Sequence, residues 1–415
     1  MLSEILSEKQ VHTDEDSLQY WGKDWTNGFE VAPSAVVFPD TIEQLQELVR
    51  YAISANVKLV PSGGRTGLSG GAVASNGEVV VSFDRMNQIL DFSQQDRIVT
   101  CQPGVITASL QEFAQQRGLF YPVDFASSGS SQIGGNVSTN AGGIKVIRYG
   151  LTRDWIAGLK VVTGTGALLD CNAGLVKNAT GYDFRHLLIG AEGTLGLLAE
   201  IDVQLTAAPE PQVVMVMGVP NVGDLLQILQ TFNSGLTLSA FEFFSDVALQ
   251  KVREHRGLPA PLAQAEAFYA LVEFDQSANS AAEAAFAACL ASGWVTDGVL
   301  SQSEAQAAAL WQLREGISEA IAPYTPYKND LSVRISDVPE FLADVDKYVA
   351  DSFPDFEVCW YGHIGDGNLH LNILRPDHMS VEEFFHHGHA MSPNIFSLVA
   401  ERRGSISAEH GVGLL

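Results

Sequence analysis

The chain has 415 residues, 46% of them hydrophobic and 18% charged, which at ~150 residues per domain allows two or three domains with cores of their own and excludes a disordered chain. Its 24 basic and 49 acidic residues give a formal net charge of −25, a sign that repels nucleic-acid phosphates. Cys101, Cys171, Cys289 and Cys359 form no CxxC pair, the first residues are acidic, and no run approaches the ~20 apolar residues of a membrane span. The chain therefore reads as cytoplasmic, with no disulfide framework or zinc knuckle, and as no integral membrane protein.

In chain order, Ala35 to Phe38 read as a strand, and Thr41 with Gln44 three residues later as a capping-box start to a helix ending near Ala55. Val57 to Val60 is a second strand, with further β-rich runs at Val79 to Phe83, Ile98 to Cys101 and Leu159 to Thr163 and an amphipathic helix from Thr107 to Arg117. Pro209-Glu210-Pro211 marks a domain border. Beyond it come a strand at Val213 to Val219, a helix at Val222 to Phe232, strands at Ser239 to Ser245 and Ala267 to Asp275, a helix at Ser280 to Ala291 and a β-prone run from Trp294. That βαββαβ order is the ferredoxin-like arrangement, with helices on one face of an antiparallel sheet. A helix at Ser303 to Ile321, a strand at Leu331 to Ile335, a helix at Pro339 to Val349, short strands at Glu357 to His363 and Leu369 to Leu374, and a helix from Ser380 to Arg403 complete the pattern.

Ten of the 38 glycines lie in two short segments, Pro61 to Gly71 (PSGGRTGLSGG) and Ser127 to Gly143 (SSGSSQIGGNVSTNAGG). Glycine lets successive amide N–H groups turn toward one anion, and the interleaved Ser, Thr and Asn add donors, so a diphosphate is the natural ligand. Neither segment matches GxGxxG, and the chain contains no GxxxxGK[ST], so the Rossmann and P-loop signatures are both missing.

Pro61 to Leu68, Ile133 to Gly143 and Gly190-Ala191-Glu192-Gly193-Thr194-Leu195-Gly196 resemble, in order and spacing, the FAD loops of the vanillyl-alcohol oxidase and para-cresol methylhydroxylase superfamily, in particular its D-2-hydroxyglutarate and D-lactate dehydrogenase branch. The resemblance implies an α+β protein: a two-lobed FAD-binding domain at 1–208, a ferredoxin-like antiparallel-sheet substrate domain at 209–376, and a C-terminal helical segment at 377–415. FAD would lie on Ser62, Gly63, Gly64, Arg65, Thr66, Gly67 and Leu68, on Pro122 and Ser130, on Ile133, Gly134, Asn136, Thr139, Asn140, Gly142 and Gly143, and on Glu192, Gly193 and Gly196. Some superfamily members bind flavin covalently through a His in the first loop; Arg65 is offered here instead, so non-covalent FAD is expected. Family members continue past Ser407-Ala408-Glu409-His410-Gly411 into a helical segment, so a chain ending at Leu415 is expected to be truncated or to close its site differently.

Seven of the ten histidines lie between residues 363 and 410. Gly362 to Asn372 reads as two strands around a Gly-Asp-Gly-Asn turn that folds His370 back toward His363, with His370 and Asn372 on one face. Two imidazoles and a carboxylate suit a catalytic divalent metal with open positions, zinc first and manganese or cobalt second, whereas single histidines are commonly structural. The resemblance implies that His363, His370 and Glu409 are metal ligands. The His386-His387-Gly388-His389 tract lies outside that motif and reads as a surface helix.

Arg314, Lys328 and Arg334 fall within 21 residues of a half that carries 10 basic and 27 acidic groups, a clustering that fits a carboxylate site. The resemblance assigns the substrate carboxylates to Arg314, Ser318 and Lys328 and leaves Arg334 structural. The activity implied is oxidation of a D-2-hydroxy acid to the 2-keto acid by hydride transfer to flavin N5, with His410 as general base and Asn372 orienting the acid. Two cations beside a metal favour a dicarboxylate such as D-2-hydroxyglutarate or D-malate over D-lactate or glycolate. With no haem or iron–sulfur motif, the electron acceptor is expected to be an electron-transfer flavoprotein or a quinone, and a homodimer is allowed. The competing readings are a D-lactate or glycolate dehydrogenase and a flavin-binding subunit without chemistry of its own.

Overall fold

The computed structural model describes residues 2–26 and 28–414. Its chain divides into two compact units, one made of residues 1–143, 150–208 and 409–415 and the other of residues 144–149 and 209–408. Among the described residues no helix is long and apolar enough to cross a membrane.

The first unit contains a four-stranded and a five-stranded sheet. In the smaller, Val79–Ser82 runs parallel to both Ala35–Val37 and Leu59–Ser62. Its sequence, three valines and a serine, is buried at every position, as a parallel strand covered on both faces requires. The helix Ile42–Ala55 supplies one cover: Thr41 Oγ1 accepts from Gln44 N at 3.3 Å, Leu45, Leu48, Val49 and Ala52 face the core, and Asn56 ends it in the left-handed region. The reciprocal half of the expected capping box is shifted by one residue, because Gln44 Oε1 accepts from Asp40 N at 2.7 Å. The larger sheet is antiparallel, with Gly196–Gln204 at its centre between Ile98–Cys101 and Ile156–Thr163.

The second unit is built on a seven-stranded sheet. Its strands are β1 (Gln212–Val219), β2 (Leu238–Ser245), β3 (Phe268–Asp275), β4 (Gly298–Leu300), β5 (Tyr327–Ser332), β6 (Glu357–His363) and β7 (Asn368–Leu374), in the order β4-β1-β3-β2-β6-β7-β5. The first four reproduce the ferredoxin-like order, and the remaining three extend it past β2. Both faces are covered, where one was expected. On one face lie Asp224–Asn233, Asn279–Ala291, Val338–Ser352 and Val381–Glu401, around Phe232, Phe243, Phe341 and Phe384. On the other lie Asp246–Arg256, Glu304–Glu315 and Ile317–Ile321, around Phe244, Leu249 and Leu313.

Several elements differ from the sequence reading. Asp246–Arg256 is a helix between β2 and β3, capped by Ser245 Oγ and closed by Gly257 at φ 66°. The expected helix from Ser303 to Ile321 breaks at Gly316, which packs so closely on the carbonyl of Gln312 that a Cβ would stand 2.8 Å from it. The glycine-rich Ser127 to Gly143 segment contains the helix Ile133–Thr139, ended by Asn140 at φ 51°. The helix Val381–Glu401, expected in a separate segment, buries Phe384, Met391, Ile395 and Val399 in the second unit's core. Residues 409–415 return to the first unit, where Val412 N and Gly413 N each donate to the Glu192 carboxylate at 2.9 Å and Leu414 N donates to Ser69 O at 2.8 Å.

Candidate active site

In the first unit the three glycine-bearing segments converge. Gly64 packs against the second loop with room for nothing larger, since a Cβ would lie 2.2 Å from Ser130 O, and Gly63 faces Gln132 and Gly135. The third segment closes on both: Gly190 N donates to Val137 O at 2.9 Å, Glu192 N to Ser138 O at 2.8 Å, and a Cβ on Gly193 would stand 2.4 Å from Pro61. Among the described residues the amides of Gly63, Gly64, Arg65, Thr66 and Gly67 donate to no protein acceptor. Five successive N–H groups in one loop form the concavity that binds an anion, so the residues present fit a flavin diphosphate.

Arg65 sits at φ 59°. Its Nη1 donates to Gly63 O at 3.2 Å and lies 3.6 Å from Asp84 Oδ2, and its Cζ stacks 4.7 Å over the Tyr20 ring. Asp84 also accepts from Trp21 Nε1 and Gln132 Nε2, both at 2.8 Å, and so ties the two loops to one carboxylate. Ser62 and Pro122 are buried, whereas Leu68 and Ser130 are exposed. Not every residue expected to hold FAD is turned outward. Ile133 is in the core, the amides of Ile133 and Gly134 donate to Val105 O and Pro103 O at 2.8 Å, and Asn136 Nδ2 donates to Thr107 Oγ1 at 2.7 Å. Asn140 Oδ1 accepts from Arg153 N at 3.0 Å, and Thr139 Oγ1 bonds Gly135 O at 3.2 Å. Gly142 and Gly143 are buried, a Cβ on Gly143 would lie 2.0 Å from Asp124 O, and Gly196 opens the central strand. His410 lends its carbonyl to Ser69 Oγ at 3.0 Å.

In the second unit the register of four strands assembles a polar cluster on the sheet face covered by Asp246–Arg256. Glu242 on β2 pairs with His363 on β6, and Tyr361 pairs with His370, which pairs in turn with Asp330 on β5. Asn372 lies opposite Cys359 on one side and Lys328 on the other. Paired positions in antiparallel strands share a face, so all these side chains emerge together. His363 and His370 are diagonal neighbours across the β6–β7 hairpin, with Nε2 atoms 3.3 Å apart.

Behind each imidazole stands a carboxylate. Glu242 Oε1 is 2.7 Å from His363 Nδ1, and Asp330 Oδ1 is 3.3 Å from His370 Nδ1. A ring that donates from Nδ1 presents a lone pair at Nε2, and two lone pairs facing each other at this distance repel unless a proton or a cation lies between them. Carboxylate-backed imidazoles of this kind are what a divalent metal requires of its ligands, so the two histidines fit the group. Ala408 N donates to Asp330 O at 3.1 Å, and Glu409 follows it in the chain.

Arg314 ends the helix Glu304–Glu315 and is buried, its Nη2 2.8 Å from Glu242 Oε2 and its Cζ 4.7 Å over the Tyr361 ring. Its Nε and Nη2 make no well-directed hydrogen bond among the described residues. A buried guanidinium with donors to spare is an unmet demand for an acceptor. Ser318 Oγ accepts from Lys328 Nζ at 3.2 Å. Desolvation by the surrounding protein lowers the Lys328 ammonium pKa although the residue keeps contact with solvent. Burial pushes the Glu242 carboxyl up, but the charges of His363 and Arg314 outweigh it and hold the group below the usual carboxylate range. Burial also raises the pKa of the Tyr361 phenol, which stays neutral. Cys359 shares this face, and burial pushes its thiol up to about 12, which leaves it inert.

Glu242, Asp330 and Tyr361 carry much of this arrangement and were not among the expected site residues. Glu242 had a signal in the sequence: a carboxylate inside the apolar run Phe241-Glu242-Phe243-Phe244 has to be buried, and buried carboxylates are paired. Of the other basic and imidazole groups weighed, Arg334 is exposed, His387 packs on the Phe353 and Phe356 rings, and His389 meets Tyr327 edge-on.

The chain is 57% identical over 416 residues to the D-2-hydroxyglutarate dehydrogenase of Stutzerimonas stutzeri (strain A1501), covering 100% of this chain and 90% of that one. It is 36% identical to the mitochondrial D-2-hydroxyglutarate dehydrogenase of Bos taurus, over 97% of this chain and 74% of the relative. The fold matches a p-cresol methylhydroxylase crystal structure with a TM-score of 0.73 at 14% identity, over 99% of this chain and 88% of that one. The FAD binding domain family matches residues 33–172 and the C-terminal domain family of FAD linked oxidases matches residues 208–415, and the chain belongs to the FAD linked oxidases.

Proposed function

We propose that the protein is an FAD-dependent dehydrogenase that oxidises a D-2-hydroxy acid, D-2-hydroxyglutarate foremost, to the 2-keto acid. The observation that carries the reading is the polar face of the second unit, where a buried Arg314 with unmet donors, the Ser318–Lys328 pair and two carboxylate-backed imidazoles share one side of one sheet. The names of the relatives support the same substrate.

When bound, FAD supplies the acceptor for the hydride that leaves Cα, and a divalent metal, zinc by its donor set, supplies Lewis-acid polarisation of the α-hydroxyl. Ser62 to Leu68 and the two later glycine segments hold FAD, without a covalent bond because Arg65 stands in the first loop. His363, His370 and Glu409 hold the metal. Arg314 and Lys328 bind the carboxylates of the acid, the first as a bidentate fork and the second as a point charge. Ser318 and Asn372 fix the acid's orientation and thereby which face of Cα is presented. His410 takes the hydroxyl proton. The electrons leave to an electron-transfer flavoprotein or a quinone, and the protein works in the cytoplasm.

The test is anaerobic mixing of the purified flavoprotein with D-2-hydroxyglutarate, D-malate, D-lactate and glycolate, each with and without prior EDTA treatment. Fast loss of the oxidised flavin band with a D-dicarboxylate, abolished by EDTA and restored by zinc, is the expected result. A flavin that none of the four acids reduces would overturn the reading.

A further inference from the structure

Glu242 is 1% exposed, on the central strand β2, and both of its oxygens face functional groups: Oε1 lies 2.7 Å from His363 Nδ1 and Oε2 lies 2.8 Å from Arg314 Nη2. The two contacts are to different parts of the proposed site, a metal-holding imidazole and a substrate-holding guanidinium. We infer that Glu242 is a positioning residue that couples metal retention to recognition of the substrate's carboxylate. The inference rests on the function proposed above.

His363 must present Nε2 as a lone pair to hold a metal, and an acceptor on Nδ1 fixes that tautomer. Arg314 is held at one edge by Oε2 and on one face by the Tyr361 ring. Held on two sides, the guanidinium plane is restricted in orientation, and its Nε makes no hydrogen bond among the described residues. A carboxylate only 1% exposed on the central strand has few alternative positions. The same side chain therefore sets two geometries at once, and shifting either partner disturbs the other. Asp330 provides the contrast: it backs His370 and bonds Asn368 Nδ2 at 2.9 Å, whereas the carboxylate that meets Arg314 is that of Glu242.

The experiment compares the full-length flavoprotein with Glu242→Gln, Glu242→Asp and Asp330→Asn. Zinc affinity is measured by competition with a chromophoric chelator, and the KM for D-2-hydroxyglutarate is measured at saturating zinc. Retained flavin absorption and far-UV circular dichroism show folding, and Val345→Ala, buried on the opposite face of the sheet, serves as a destabilised control with its zinc affinity intact. Coupling predicts that Glu242→Gln weakens zinc binding by about 10–100-fold and that its KM stays raised by about tenfold or more when zinc saturates, the loss expected of about one misdirected charged hydrogen bond. Asp330→Asn loses zinc affinity but recovers its KM once zinc saturates, and Glu242→Asp falls between wild type and Glu242→Gln in both measurements. A Glu242→Gln protein whose KM returns to the wild-type value at saturating zinc, or whose zinc affinity is unchanged, overturns the inference and leaves the proposed function standing. A wild-type chain that binds no zinc, or whose flavin the acid does not reduce, overturns both.

Discussion

Arg148 grips Asp275 with Nη1 and Nη2 at 2.7 and 3.1 Å, and each side chain is about one-fifth exposed. Hydrogen bonds from Arg148 hold the Asp275 carboxyl below its ordinary value against the effect of burial. Because the folded pKa is depressed, the bond's stability is complete above the unfolded value of ~3.9 and is lost as pH falls through the lower folded value. Arg148→Met is expected to destabilise the second unit by about 1.5–3 kcal/mol near neutral pH. Urea unfolding of both proteins should converge as pH drops below ~4, and a difference that instead persisted in acid would assign the loss to packing. The residues that make such bonds were unevenly legible. Arg314 and Lys328 stood out because cations are scarce in an acidic half, and His363 and His370 because seven of the ten histidines gather between residues 363 and 410. Asp330 did not stand out, since one more carboxylate in that half carries no signal until β5 and β7 are seen to pair.

At the scale of elements, the glycines act as contact surfaces more than as hinges. Gly64 is the sharpest instance: a Cβ there would stand 2.2 Å from Ser130 O and 2.9 Å from Ser131 Cα, both backbone atoms that no rotamer change can move. Gly64→Ala must therefore separate the first two FAD loops, at about 1–3 kcal/mol of overpacking. Its expected signature is a fall in the ratio of flavin to protein absorbance; full FAD occupancy in the variant would show that the loops part freely. The sequence identified these loops by composition but missed the helix Ile133–Thr139 within them, since Gly and Thr are weak helix formers and tertiary contact with Pro103 decides the matter. The helix Asp246–Arg256 was missed because only Ala248, Leu249 and Val252 are buried along it and, Val247 apart, the rest of its length is polar. Strand β5 was placed too far along the chain, at Leu331 to Ile335, because its early residues Lys328, Asn329 and Asp330 are polar. They are polar because Lys328 and Asp330 face the site, so the misreading falls on a functional strand.

For the whole molecule, the glycine cradle lies in the first unit and the carboxylate-backed histidines lie in the second. Pro209-Glu210-Pro211, the border expected from the sequence, opens the long segment of the second unit. The passage of residues 144–149 into the second unit was not expected, because it is fixed by tertiary pairs such as Lys145 with Glu273 and Arg148 with Asp275, which no local pattern encodes. Separate residue sets for separate groups lead to a separable loss. Chelation that removes the proposed metal takes nothing from the amides of Gly63 to Gly67, so EDTA-treated protein is expected to keep its full flavin absorption band. It is expected to lose thermal stability, since a metal that binds only the folded state at 100 times its dissociation constant contributes about 2.7 kcal/mol. Thermal melting with flavin release and tryptophan fluorescence as parallel probes checks both parts. Trp311 and Trp360 belong to the second unit, with Trp311 Nε1 bonded to Glu273 at 2.9 Å and Trp360 Nε1 to Asp346 at 2.7 Å. Their transition should move down on chelation and return with zinc. Loss of flavin on chelation, or a tryptophan transition indifferent to zinc, would place the metal's contribution elsewhere than on His363 and His370.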